Sequence, residues 1–207
     1  MARPVEFDRV KARDRALALF WRKGYLATSL ADLTAATGLS RSSFYASFGE
    51  KRALFIECLD LFAERTRQLL LDARTTMPPV DAIEHFFAHS FDGVGAVRDT
   101  WGCMMVNTVL EAAGVDDGLR SRASDLLQRM NALFVDTLVA AGLPLSDAEI
   151  WADIIMTLNE GLRVESRRRV PGDRRRVQVR TMIGMLRVAI ATSSPHIGDR
   201  RNPRRTS

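Results

Sequence analysis

Cysteine is scarce in this sequence, with only Cys58 and Cys103 among 207 residues. Two thiols are too few for a disulfide framework or a cysteine-only zinc site, and they fit a reducing compartment. There are only three histidines, and neither a metal-ligand cluster nor a glycine-rich phosphate loop is present, so metal- and nucleotide-dependent chemistry lacks its usual signatures. No apolar run approaches the ~20 residues of a membrane span. The first residues, MARPVEFDRVKARDR, are charged and have no apolar core of the kind a signal peptide needs. These absences lead us to expect a cytoplasmic protein with no membrane partner, no metal and no cofactor. Alternating strand patterns are missing as well, and almost every periodic segment is helical, so the expected fold class is all-α.

An apolar content of 46% is enough for a proper core, and the net charge is +5. The basic excess is concentrated near the N-terminus, where Arg3, Arg9, Lys11, Arg13, Arg15, Arg22, Lys23, Arg41, Lys51 and Arg52 outweigh Glu6, Asp8, Asp14, Asp32 and Glu50. A basic region of this kind suits a polyanion.

Inside it, TSLADLTAATGLSRSSFYASFGEK (28–51) reads as two short helices joined at Gly38. Ser29 and Asp32 form a capping-box-like start, Leu30, Leu33 and Ala36 share a face, and Gly38 permits the turn. Ser40 restarts the helix. Phe44 and Phe48, four apart, point inward with Leu39, while Arg41, Ser42, Ser43, Ala46 and Ser47 face out. Short hydroxyl side chains let a helix come close to base edges and phosphates. Tyr45 and Lys51 flank that face with a phenolic donor and a cation. This is the plan of a helix-turn-helix DNA reader.

A first helix is expected over about 8–23, burying Val10, Leu17, Phe20 and Trp21, and a long helix from about Glu50 to just before Met77 links the reader to everything downstream. Further helices follow from Pro79, breaking near Gly93 and Gly95, over about 103–113, and over about 119–141. The last two cover about 146–168, opened by a Ser146 and Glu149 capping box with Trp151, Ile154, Ile155, Leu158 and Leu162 on one stripe, and about 173–192, with Val179, Met182, Ile183, Leu186 and Ile190. Their broad apolar faces suit either a dimer interface or a monomer core. The Arg-rich end with two prolines is expected to be a disordered basic tail.

The run ALALFWRKGYLATSLADLTAATGLSRSSFYASFGEKRALF resembles the N-terminal domain of the TetR family of transcriptional regulators. The resemblance rests on Phe20, Gly24, Tyr25, Thr28, Ser29, Leu33, the Gly38 to Ser40 turn, Phe44, Tyr45, Phe48, Lys51, Leu54 and Phe55. Ala46 and Ser47 depart from it, standing where the family often has larger groups, which shifts base reading onto Arg41, Ser42 and Ser43. The resemblance implies a three-helix DNA-binding domain over 1–50, a helical ligand-binding and dimerisation domain over 51–193, and leaves 194–207 as the tail. It implies a dimeric regulator, a repressor, that binds a palindromic double-stranded DNA operator and is released by a small-molecule inducer. Thr28, Tyr45 and Lys51 are then the phosphate-positioning candidates and Arg41, Ser42 and Ser43 the base readers, with Ser29 and Ser40 as further DNA-binding candidates.

The inducer pocket implied by the resemblance draws on Phe62, Phe86, His89, Cys103, Asn107, Phe134, Trp151, Ile155 and Asn159, with His85 and Glu111 as further polar candidates. Aromatics and methionines at helical spacing are, taken singly, ordinary core. Cys103 follows Gly102 close to a helix start, where the macrodipole favours thiolate, and it resembles the glycine-cysteine segment of TetR-like regulators that respond to electrophiles or oxidants. The alternative function is therefore a sensing repressor acting through Cys103. An enzyme built on Cys103 with His85 or His89 has no motif to fix its geometry. The arginines 167–169 and 174–176 read as cations at a helix end in a solvated loop.

Overall fold

The computed structural model describes residues 8–92 and 98–193. Gly93, Gly95, the first seven residues, the 194–207 tail and the side chain of Phe91 lie outside the described residues. Those described form helices joined by short turns, with no strand among them.

Helix α1 (Arg9–Lys23) opens on Asp8, whose carboxylate accepts the Lys11 amide at 3.0 Å, and stops at Gly24. It buries Ala12, Ala16, Leu17, Leu19 and Phe20. Val10, expected inside, is instead 57% exposed, because it lies a full repeat before Leu17 on the margin of that face, in the first turn. Helix α2 (Leu30–Thr37) has the full capping box: the Ser29 hydroxyl accepts the Asp32 amide, and the Asp32 carboxylate accepts the Ser29 amide. Gly38 ends it in the left-handed region, at φ 75°, where a side chain would be strained. Ser40 caps α3 (Arg41–Phe48) by accepting the Ser43 amide at 3.1 Å. Phe44 and Phe48 are buried, so α3 is held from one side only.

Helix α4 (Lys51–Thr76) runs out of this head to Met77, ahead of Pro78 and Pro79, and α5 (Pro79–Asp92) turns back along it. A 3-10 turn (Arg98–Trp101) leads to α6 (Met104–Ala112), and Asp116 caps α7 (Asp117–Ala140) through the Leu119 amide. Helices α8 (Leu145–Arg167) and α9 (Gly172–Ser193) complete the fold. The expected Ser146 and Glu149 capping box does not form. Pro144, extended at φ −55° and ψ 149°, is itself the N-cap and its carbonyl accepts the Ala148 amide, so the helix starts at Leu145 and Ser146 falls inside its first turn.

Buried residues form two apolar clusters. One joins the head to the first half of α4 and to α6, through Phe20, Leu33, Phe44, Phe55, Cys103 and Met104. The other joins the second half of α4 to α5, α7, α8 and α9 around Phe86, Phe134, Ile155 and Leu186. Helix α6 thus shares the core of the N-terminal head, though it lies in the downstream half of the sequence.

The stripes expected on α8 and α9 mostly face inward. Ile155 and Leu162 on α8, and Val179, Met182, Ile183 and Leu186 on α9, are buried in the second cluster, while Trp151 and Leu158 are half-buried. A second stripe faces solvent. On α8 it comprises Ile150, Ile154 and Val164, with Gly161 between them, and on α9 Val177, Met185 and Val188, with Gly184. A methyl group added at either glycine would meet nothing within 4 Å. No helix among the described residues is long and apolar enough to cross a membrane.

Candidate nucleic-acid interface

The outward face of α3 is built by its own caps. Ser40 oxygen accepts the Ser43 amide and lies 2.9 Å from the Ser43 hydroxyl and 3.0 Å from the Ser42 hydroxyl, so three hydroxyls cluster at the positive end of the helix. Arg41, Ser42, Ser43 and Tyr45 are all exposed. Arg41 forms no ion pair or hydrogen bond among the described residues, unlike Arg9, Arg52 and Arg122. Tyr45 is 51% exposed, with its ring edge against Phe44 at 5.8 Å, so packing fixes the ring while its hydroxyl end stays outside. Ser29 is exposed beside α2, where the Asp32 carboxylate also takes the Lys23 ammonium at 2.5 Å and is held well below the usual carboxylate range by it.

Thr28 and Lys51 are placed differently from the other six candidates. Thr28 is buried and its hydroxyl donates to the Gly24 carbonyl at 2.5 Å. The Lys51 ammonium donates to the Tyr25 and Thr28 carbonyls, both at 2.8 Å, and sits 4.3 Å from the centre of the Tyr25 ring. Partial burial lowers its pKa, offset by the nearby Glu111 carboxylate. Both side chains therefore brace the turn between α1 and α2.

Sequence reasoning placed Glu111 among ligand-pocket candidates. In the structure its carboxylate accepts the amides of Tyr25 and Leu26 at 2.9 and 2.8 Å, tying α6 to the end of α1. A methyl group at Gly24 would lie 2.7 Å from a Glu111 oxygen, and Gly24 has φ 88°, so only glycine admits the clamp. Two more ties flank it. The Trp21 indole donates to the Gly102 carbonyl at 3.0 Å, just before α6, and Arg52 at the start of α4 pairs with Asp116, just after α6. The Arg52 guanidinium holds the Asp116 carboxyl down at about 2. Local sequence patterns gave no signal for these ties, since the partners are 64 to 86 residues apart.

The nine ligand candidates have different surroundings among the described residues. Phe86, Phe134 and Ile155 are fully buried core, the two rings meeting edge to face at 5.5 Å. Phe62 packs on Trp21 at 4.9 Å, Trp151 is half-buried against the second cluster, and His89 is exposed. Asn107 donates to the Trp101 carbonyl at 2.9 Å. Asn159 is 6% exposed and its side-chain oxygen has no hydrogen-bond partner. Cys103 stands at the N-cap of α6 without a capping bond, and burial pushes its thiol up, against the thiolate that the helix start would favour. No group of three or more His, Cys, Asp or Glu able to hold a metal occurs among the described residues.

Comparison with known proteins accounts for both halves of this arrangement. Residues 13–58 match the family model of bacterial regulatory proteins of the tetR family, and residues 79–169 match the C-terminal domain of LmrA/YxaF-like transcriptional regulators. The HTH-type transcriptional repressor ComR of Escherichia coli (strain K12) is 31% identical over 176 residues, covering 80% of this chain and 82% of that protein. Among solved structures, the TetR family regulator CifR, in a cysteine-substituted form complexed with 26-bp double-strand operator DNA, is 26% identical with a TM-score of 0.68, covering 88% of this chain and 98% of its own. A TetR family regulator from Cytophaga hutchinsonii superposes with a TM-score of 0.72 at 24% identity, over 89% of this chain and 94% of that one. A capped α3 braced from behind, matched in sequence from head to bundle by a regulator of the same length class, leaves one assignment: this chain belongs to the TetR family of bacterial transcriptional regulators.

Proposed function

We propose that the chain is a dimeric, ligand-responsive transcriptional repressor that binds a palindromic operator. The observation that carries the reading is the exposed outward face of α3, with Arg41, Ser42 and Ser43 as base readers and Ser29, Ser40 and Tyr45 as phosphate contacts. In the operator complex of CifR and the naming of ComR as a repressor, similar proteins supply the partner and the sign. Lys51 and Thr28 act behind this face, holding the turn that sets the angle of α2 and α3.

One head reads only a few base pairs, and a two-fold partner reads a second half-site about one turn, ~34 Å, or more away. The outward stripes of α8 and α9 support that dimer: apolar groups and open glycines on adjoining helices let two copies pack closely as four helices. The unpaired, buried Asn159 oxygen supports a ligand in the bundle, since an orphaned buried acceptor costs about 1–3 kcal/mol that a ligand donor would recover. Ligand response then follows from population shift, with the inducer favouring a form in which α4 and α6 hold the heads at a spacing unsuited to the operator.

Selection of bound duplexes from a random DNA pool tests this. The expected product is a palindrome; an enriched site without two-fold symmetry refutes the dimeric reading, and an unenriched pool refutes sequence-specific binding altogether.

A further inference from the structure

We propose that the groove between α4, α6 and α7 binds an amphiphilic carboxylate. The groove has a volume of about 300 Å³, at the lower end of the range for small-molecule sites. Its floor is apolar: Met105 of α6 and Met130 of α7 are each 3% exposed, and Leu126 lies beside them. Methionine suits a floor that must accept an alkyl chain, being unbranched and polarizable. None of the nine pocket candidates of the bundle lines it.

The rim selects the charge. It carries Arg67, Arg122 and Arg129 against two acids, Asp60 and Glu64. Both acids are already engaged, Glu64 with Arg67 and Asp60 with Arg122. Arg129 is exposed and has no hydrogen-bond or ion-pair partner among the described residues. A cation entering the groove would have to break an existing pair, whereas a carboxylate finds Arg129 available and a planar fork of donors to meet it. The position also matters, because an occupant touches α4 and α6, the two helices tied to the head. That consequence for DNA rests on the ligand-responsive reading, while binding itself does not.

The test uses the full-length protein with methyl-labelled methionine, titrated with decanoate and, separately, with decanol, and observed by NMR. Met105→Leu and Met130→Leu variants assign the two resonances. The expected result is saturable movement of the Met105 and Met130 methyls with decanoate, and an affinity at least tenfold weaker for decanol. Arg129→Glu should weaken decanoate about tenfold and leave decanol unchanged, while wild-type and variant melt at the same temperature. Movement confined to the core methyls of Met156 and Met182, no saturable movement, or equal binding of decanol and decanoate would each overturn the proposal. Binding that leaves operator affinity unaltered would instead count against ligand response, with the site intact.

Discussion

On the outward side of α3, Arg41 has no partner among the described residues and three hydroxyls cluster at a helix start; on the side turned to α6, Trp21, Lys51 and Arg52 are each fastened to a named acceptor. The two sides belong to one small head and use similar residues. What separates them is satisfaction. Polar groups turned toward α6 have already spent their hydrogen-bonding capacity within the chain, so they fix geometry. On α3, Arg41 retains its donors for something outside, and a polyanion is the partner that a cation beside clustered hydroxyls fits. Charge alone does not mark a DNA contact, since Lys51 carries the same charge as Arg41 and is turned to the chain's own carbonyls.

That contrast is open to direct attack. The largest effect is expected from Arg41→Glu, which should weaken operator binding by about 1–3 kcal/mol, roughly 5- to 150-fold, with unchanged thermal melting. Fluorescence anisotropy on the selected operator measures the first and circular dichroism the second; a lowered melting temperature would mean that Arg41 is structural. Next comes Glu111→Leu, which strands the Tyr25 and Leu26 amides and should cost about 1–3 kcal/mol in urea unfolding. If its stability matched wild type, the tie between α6 and the head would carry no energy. Trp21→Phe keeps the ring packing against Phe62 and removes only the bond to Gly102, so about 1 kcal/mol is expected by the same assay.

The smallest effect belongs to the exposed Arg52 and Asp116 pair, where solvent screens the attraction. Asp116 is lowered from its ordinary 3.8 to about 2 in the folded protein. Its contribution is therefore fully present above about pH 4 and is lost as the pH falls through about 2. Asp116→Asn should lower the melting temperature slightly at pH 7, and the difference from wild type should vanish near pH 2. A difference that persists there would assign the effect to the Asp116 cap on α7 rather than to the ion pair.

What the sequence made legible was local. The Ser29 and Asp32 box, the Gly38 turn, the Ser40 cap and the Phe44 and Phe48 pair all act within a few residues, and each is where spacing predicts it. Periodicity revealed an apolar stripe on α8 but could not say what covers it. Most of that stripe packs in the monomer core, but Ile154, expected on it, instead joins Ile150 and Val164 on an outward one that is visible only once the neighbours are placed. Pro144 displaced a plausible cap by starting the helix early. The clamp at Glu111 and the fit of Gly24 beneath it depend on two segments meeting across 86 residues, which no spacing rule records. Cys103 shows the same limit: a helix start argues for thiolate, but burial, unseen in the sequence, pushes the thiol the other way.

The division of labour between the two sides of the head is tested most directly by the salt dependence of operator binding for Arg41→Ala and Lys51→Ala beside wild type. Each cation at the DNA surface contributes about 0.9 to the slope of log affinity against log salt. The arrangement described here predicts a slope shallower by about one unit for Arg41→Ala and an unchanged slope for Lys51→Ala; the reverse pattern would contradict it.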